Sequence, residues 1–260
     1  MAVRLTHVGG PTLLIEAHGW AVLSDPTFDP PGRRYSFGWG AGSTKTVGPA
    51  VLAAGLPPLD VVLVTHDQHG DNLDTMGRSL LPGAGTVVTT QVAARRLGLQ
   101  NVRGLAPWES TTVSAPGRPD LTITATPCRH GPPLSKPIVV DVVGFTLQWA
   151  GDDAALWFTG DTVMYDGLRE AASRLSVDVM VLHLGVVRFP ITGPLRYTMG
   201  GHDGAELVRL VRPRVAVPVH FEGWSHFSEQ EDALRAELAA APADVREVVR
   251  WLPRGEAVDV

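Results

Sequence analysis

The stretch Val61-Val62-Leu63-Val64-Thr65-His66-Asp67-Gln68-His69-Gly70-Asp71-Asn72-Leu73-Asp74 decides the reading of this chain. Its first five residues are apolar or β-branched with no polar alternation, the pattern of a short strand buried on both faces. The nine that follow hold two histidines and three aspartates at the strand's end. A solvated charged loop is the bland reading of such a cluster, but the pattern recurs downstream. His130 follows a strand pattern over 121–126, Asp161 follows one over 156–159, and His220 follows one over 215–219. Side-by-side strands bring their ends together, and imidazole plus carboxylate is the ligand set of zinc, iron or manganese. Taken singly, Asp161 also admits a helix-cap reading and His220 a core-histidine reading, each the lesser of its two readings. Four strands ending this way are harder to explain as structure alone. His7, His18 and His226 read as loop or structural histidines.

Outward from that centre, 12–17 and 20–24 form a hairpin around His18-Gly19. A long loop runs from Asp25-Pro26 to about Pro49 and carries Tyr35, Phe37 and Trp39, which suits a lid or one wall of a pocket. Arg33, Arg34 and Lys45 on the same loop make an anionic small molecule an expectation. Further strands are expected at 86–90, 138–149 and 177–182. A short helix is expected at 91–97 with Gly98 as its C-cap, and others at 166–175, 204–211 and 228–240. Ser228 as N-cap and Glu231 three residues on predict a capping box for the last. No segment reads as a linker, so residues 1–260 are expected to form one domain of two facing sheets with helices outside.

With 44% hydrophobic and 19% charged residues over 260 positions, disordered, collagen-like and coiled-coil classes are excluded. A net charge of −5 without a Lys/Arg run argues against a nucleic-acid partner. No apolar run reaches the roughly 18 residues a spanning helix needs. One cysteine, Cys128, and a start without a signal-peptide pattern point to a reducing, cytoplasmic setting. The expected partner is a small-molecule substrate, and a homo-oligomer is left open.

In this order, Leu5-Thr6-His7-Val8-Gly9-Gly10, Ser24-Asp25-Pro26, the cluster at 66–74, His130 after Thr126-Pro127, Gly160-Asp161-Thr162 and Pro218-Val219-His220-Phe221 resemble the metallo-β-lactamase superfamily. Within it, the chain is similar to the ascorbate-6-phosphate lactonase-like and N-acyl phosphatidylethanolamine phospholipase-like hydrolases. The resemblance implies an α/β four-layer αβ/βα sandwich, the metallo-β-lactamase fold, with a one- or two-metal site where the sheets share an edge. The family pattern is His-x-His-x-Asp-His, and this chain is one residue longer. Aligned with the insertion, His66, His69 and His130 would hold a first metal, Asp71 and His220 a second, and Asp161 would bridge them. Without the insertion the site is much poorer, and a displaced His66 would leave Asp67 or Gln68 near the metal. Asn72 stands where the family has its third histidine. A carboxamide binds zinc weakly, so the second position is expected to be weak, empty or filled by an oxygen-preferring metal such as manganese.

The resemblance thus implies one or two divalent ions, zinc first, with manganese or iron as alternatives, and hydrolysis of an ester, lactone, amide or phosphodiester. Metal lowers the pKa of bound water to about 7. Asp71 or Asp161 would orient that water, and His202 or His183 would protonate the leaving group. Each of these two histidines has a capping or supporting reading beside the catalytic one. Tyr165 is a weaker candidate, and Cys128 is expected to pack below the site. Two other readings stand beside the hydrolase: a non-hydrolytic metalloenzyme (isomerase, cyclase or oxygen-dependent) and a metal-free binding protein on the same fold. A nuclease is disfavoured by the acidic charge and the lack of an inserted RNA-binding arm.

Overall fold

Two β-sheets form the frame, and hydrophobic periodicity explains how each is covered. In a computed structural model, residues 2–38, 40–133, 135, 139 and 141–260 are described. The chain opens with β1 (Arg4–Gly9), β2 (Thr12–Ala17) and β3 (Trp20–Ser24). His18 at φ 50° and Gly19 at φ 81° make a left-handed two-residue turn, whose twist matches the paired strands. With β6 (Val61–Val64), β7 (Thr86–Thr90), β8 (Val102–Leu105) and β15 (Ala257–Asp259), these strands build a seven-stranded sheet in the order β15-β1-β2-β3-β6-β7-β8.

The second sheet has six strands in the order β14-β13-β12-β11-β10-β9. They are β9 (Ser110–Val113), β10 (Leu121–Pro127), β11 (Val143–Trp149), β12 (Ala155–Phe158), β13 (Val177–His183) and β14 (Val215–Val219). Successive side chains of a strand face opposite ways. Val61 and Leu63 accordingly enter the core between the sheets, with Ile15, Phe145, Trp149 and Val181, while Val62 and Val64 pack outward with Leu73, Leu81 and Val87. On the other sheet Val179 and Val181 face inward and Met180 and Leu182 face out.

Helices α1 (Thr75–Leu80) and α2 (Gln91–Leu97) follow β6 and β7 in the chain. The second sheet is covered by α3 (Asp166–Arg174), α4 (Gly201–Val211), α5 (Glu231–Ala240) and α6 (Ala243–Arg246). Leu168, Leu207, Leu234 and Val245 join these helices to Met180 and Leu182 in one outer core. The result is the expected helix–sheet–sheet–helix stack.

Strand direction places the site. β3, β6, β7 and β8 are parallel, as are β12, β13 and β14. β10 is antiparallel to β11 and β11 to β12, so β10 runs with β12. The carboxyl ends of β3, β6, β10, β12, β13 and β14 therefore gather along one edge of the stack.

Several local expectations shift. The long loop contains a two-stranded hairpin, β4 (Arg34–Gly38) and β5 (Ala41–Thr44), while Trp39 lies outside the described residues. The strand expected over 138–149 begins at Val143, and 138 and 140 lie outside the described residues. Helix α4 starts three residues earlier than expected. The capping box at Ser228 does not form: α5 has Gln230 as its N-cap, and the Ser228 hydroxyl donates instead to the Val186 carbonyl at 2.6 Å. Among the described residues, no helix is long and apolar enough to cross a membrane.

Candidate metal centre

Two groups of buried ligand-type side chains meet at this edge: His66, His69 and His130, and Asp71, Asp161 and His220. Their placement follows from the strands. His66 comes two residues after β6, and a turn with Asn72 N–H and Leu73 N–H donating to the His69 carbonyl folds His69 back beside it. His66 Nε2 then lies 2.9 Å from His69 Nδ1, and His130 Nε2 lies 3.3 Å from that same atom.

The outer nitrogens fix the inner ones. His130 Nδ1–H donates to the Tyr197 carbonyl at 2.8 Å, which leaves Nε2 with its lone pair facing inward. The Thr65 hydroxyl donates to the buried Asp25 carboxylate (2.9 Å to Oδ2), so its oxygen accepts from His66 Nδ1–H at 3.2 Å. His220 Nδ1–H donates to the Leu184 carbonyl at 3.2 Å, and its Nε2 lies 3.4 Å from both Asp71 Oδ2 and Asp161 Oδ2.

Burial lowers the His69 and His130 pKa values to about 4, with help from the neighbouring imidazoles, and lowers that of His66 still more clearly. All three rings are neutral at pH 7, as metal ligation requires. At His220 burial also lowers the pKa, but Asp161 and Asp71 outweigh it and raise it to about 9. Burial pushes the Asp71 carboxyl up, yet His226 and His220 overcome it and hold the group well below the usual carboxylate range.

Whether a cation fits is answered by the atoms left over. Asp71 Oδ1, both oxygens of Asp161, Asn72 Oδ1 and His220 Nε2 are buried without a hydrogen-bond partner. Each such atom normally costs about 1–3 kcal/mol. An acceptor-rich set concentrated in one place, with anionic carboxylates beside neutral imidazoles, has the donor chemistry of a divalent ion. The residues fit such an ion.

Other expected residues fall elsewhere. Asp67 is drawn into an ion pair with Arg96. Asn72 turns its amide nitrogen toward Thr65 Oγ1 (3.3 Å) and Asp25 Oδ2 (3.4 Å), leaving its oxygen unpaired. His183 is fully buried, with Nε2 3.6 Å from Asp25 Oδ2 and its ring 5.8 Å from that of His220. Cys128 belongs to neither ligand group; its Sγ donates to the Thr159 carbonyl at 3.0 Å, and burial pushes the thiol pKa well up. Tyr165 stacks under the Arg129 guanidinium at 4.7 Å.

His202 falls outside both ligand groups. It lies in the first turn of α4 with its side chain exposed in a surface recess beside Glu206, Arg209 and Glu237, because the helix turns that position to solvent. The anion-binding expectation also changes. Arg33 donates to Asp29 (3.1 Å) and to the Thr75 hydroxyl (2.7 Å), and the buried Lys45 donates to the buried Asp74 at 3.0 Å. Sequence reading missed His226, which donates to Asp71. No local signal marked it, since its partner Asp71 is 155 residues away in the chain.

An aromatic roof covers the edge. Phe37 of the hairpin lies 4.8 Å from the His69 ring and 5.5 Å from His226, Phe189 stacks on His226 at 5.6 Å, and Tyr197 lies 6.0 Å from His130.

Residues 21–221 match the family described as "Beta-lactamase superfamily domain". The chain belongs to the metallo-β-lactamase superfamily. This superfamily member is 26% identical to a UPF0173 metal-dependent hydrolase of Methanopyrus kandleri, over 99% of this chain and 100% of that protein. It is 27% identical to another of the same description from Opitutus terrae, again over 99% and 100%. In structure it is similar to an isothiocyanate hydrolase from Delia radicum gut bacteria (TM-score 0.80, 21% identity, 98% of each chain). It is also similar to a possible metal-dependent hydrolase from Veillonella parvula (TM-score 0.81, 20% identity, 100% of each chain). These likenesses show the metallo-β-lactamase fold; with the full-length relatives and the two ligand groups, they make this superfamily member a metal-dependent hydrolase.

Proposed function

We propose that this hydrolase acts on a small, uncharged, largely apolar molecule at a carbonyl-type carbon, as in an ester, lactone or amide, in preference to a phosphodiester. The observation that carries this reading is the combination above the ligand groups: an aromatic roof of Phe37, Phe189 and Tyr197, with Arg33 and Lys45 already engaged by Asp29 and Asp74. Such an aromatic surface rewards apolar area at about 25 cal/mol per Å², and with Arg33 and Lys45 held in ion pairs it offers less to an anionic group.

His66, His69 and His130 would hold one ion, and Asp71, His220 and the Asn72 oxygen a second, with Asp161 between them. A divalent ion there polarises a carbonyl-type oxygen and lowers the pKa of water to about 7. The unpaired oxygens of Asp161 would accept a hydrogen bond from the attacking water and orient it. Phe37 and Phe189 would pack the substrate down and exclude bulk water. His183, behind His220 and facing Asp25, would support the ligands and is not aimed at a leaving group. The motif kinship with lactonase-like enzymes fits a carbonyl-type reaction centre, whereas phospholipase-like chemistry is the competing outcome.

The test is turnover of matched neutral and anionic substrates in H₂¹⁸O by protein reconstituted with zinc, manganese or iron. An isothiocyanate belongs in the neutral panel, being small, uncharged and electrophilic at carbon. Solvent oxygen in the product, with kcat/KM at least tenfold higher for the neutral class, supports the reading. Turnover confined to phosphodiesters, or a product without solvent oxygen, overturns it.

A further inference from the structure

His226 sits in the segment after β14, where Ser225 is paired with Thr44 of the hairpin: Ser225 N–H donates to the Thr44 carbonyl at 3.0 Å, and Thr44 N–H donates to Ser225 Oγ at 2.9 Å. The His226 side chain is buried between Phe189, Phe37 and Phe227. Its Nε2 lies 2.9 Å from Asp71 Oδ2 and its Nδ1 lies 2.6 Å from Ser43 Oγ on β5. An ionised carboxylate only accepts, so Nε2 carries the hydrogen and donates it. In the neutral ring Nδ1 then accepts from the Ser43 hydroxyl. The chain of bonds runs from the hairpin through the imidazole to the carboxylate.

Among the described residues, this is the one hydrogen bond made to the Asp71 carboxylate, and it goes to Oδ2. Oδ1 is left buried and unpaired, and Oδ2 also lies 3.4 Å from His220 Nε2, within the Asp71, Asp161 and His220 group. We propose that His226 is a positioning residue for the second metal: its bond to Oδ2 fixes the orientation in which the Asp71 carboxylate faces His220 and Asp161, and Ser43 makes that orientation depend on the hairpin. The inference rests on the two-ion reading of the site but not on any substrate.

Partners that orient a metal ligand change affinity about 10–100-fold when removed. The experiment titrates metal-free protein with zinc against a chelating indicator, and with cobalt(II) by absorbance, to give a Kd for each ion. His226→Ala should weaken the second ion about 10–100-fold and leave the first, held by His66, His69 and His130, within about threefold. His226→Gln, whose amide N–H can reach Asp71, should restore most of the loss. Ser43→Ala should weaken the second ion in the same direction by a smaller factor.

An unchanged second Kd in His226→Ala overturns the proposal, as does a His226→Gln protein no better than His226→Ala. If His226→Ala does not fold, the other two variants decide: an unchanged second Kd in Ser43→Ala overturns it. Wild-type protein that takes up only one ion also overturns it. Wild-type protein that binds two ions but turns over no neutral substrate defeats the substrate reading above and leaves this one standing.

Discussion

Replacing Lys45 with Met separates a structural cation from a substrate-binding one. Lys45 Nζ lies 3.0 Å from Asp74 Oδ2, and their side chains are only 3% and 0% exposed. Burial lowers the lysine pKa, with Asp74 pulling against it. Removing one member of a buried pair leaves an uncompensated charge and costs about 3–5 kcal/mol. Here Asp74 keeps two backbone donors, Gly77 N–H at 2.8 Å and Asp29 N–H at 2.6 Å, so the low end, about 3 kcal/mol, is expected. At about 2–4 °C per kcal/mol for a chain of this size, the midpoint of thermal unfolding should fall by about 6–12 °C. The assay is circular dichroism on the metal-loaded protein, with kcat and KM measured well below the transition. Adding Asp74→Asn removes the stranded charge and should recover part of the loss. A midpoint within about 2 °C of wild type, with KM raised for an anionic substrate, would refute the argument and return Lys45 to the pocket wall.

Three further outcomes are expected. Asn72→His should raise the metal content of protein purified without added metal, because an imidazole replaces the weaker carboxamide; elemental analysis showing the same or lower content counts against Asn72 facing the second ion. Phe37→Ala removes the ring that packs over His69 and His226 and should raise KM for an apolar substrate about tenfold, from loss of roughly 1.5 kcal/mol of apolar contact, with metal Kd values unchanged; an unaltered KM shows that the roof does not touch substrate. Glu229 accepts from Gly201 N–H at 2.7 Å at the start of α4, and burial, with Glu237 beside it, raises its pKa from 4.5 to about 7. A raised folded-state pKa means stability that is full below about 4.5 and lost as pH rises through about 7. Urea unfolding at pH 5 and pH 8 should therefore show a smaller decline in Glu229→Gln than in wild type, and parallel declines would exclude Glu229 as the source.

What the sequence made legible was what short-range pattern controls. Val61–Val64 and Val215–Val219 are unbroken apolar, valine-rich runs because both faces are buried, and the histidines just past their ends had to fall at a sheet edge. The 91–97 helix was readable from Gly98, which takes the left-handed C-cap at φ 61°. His226 was not readable, since its role is defined by Asp71, 155 residues away. Ser228 failed for a similar reason: a carbonyl from a distant loop competes for its hydroxyl and wins over the local cap. His202 shows the converse limit. Its flanking residues resemble a metal-side segment, but the start of α4 at Gly201, not the local motif, sets which way its side chain faces. The hairpin was hidden by its glycines, although Tyr35 and Phe37 alternate with exposed Arg34, Ser36 and Gly38 as strand residues do.

The backbone at the ligand edge carries a cost that the core does not. His220 at φ 60° and Asp25 at φ 34° are left-handed without being glycine, a conformation that costs about 1 kcal/mol or more each. Each is held there by bonds to other elements. His220 N–H donates to the Gly10 carbonyl at 2.9 Å, and Asp25 N–H donates to the Leu63 carbonyl at 2.8 Å. At Gly185 a side chain would come within 2.5 Å of the His220 carbonyl, so this approach is open only to glycine. These positions abut the carboxylate and imidazole atoms that lack partners. Strain and unpaired polar atoms both disfavour the metal-free fold, yet they coincide at the ends of β3 and β14 and not along the strands themselves. The well-packed interior between the sheets, including fully buried Leu63, Phe145 and Trp149, is what can sustain that local cost.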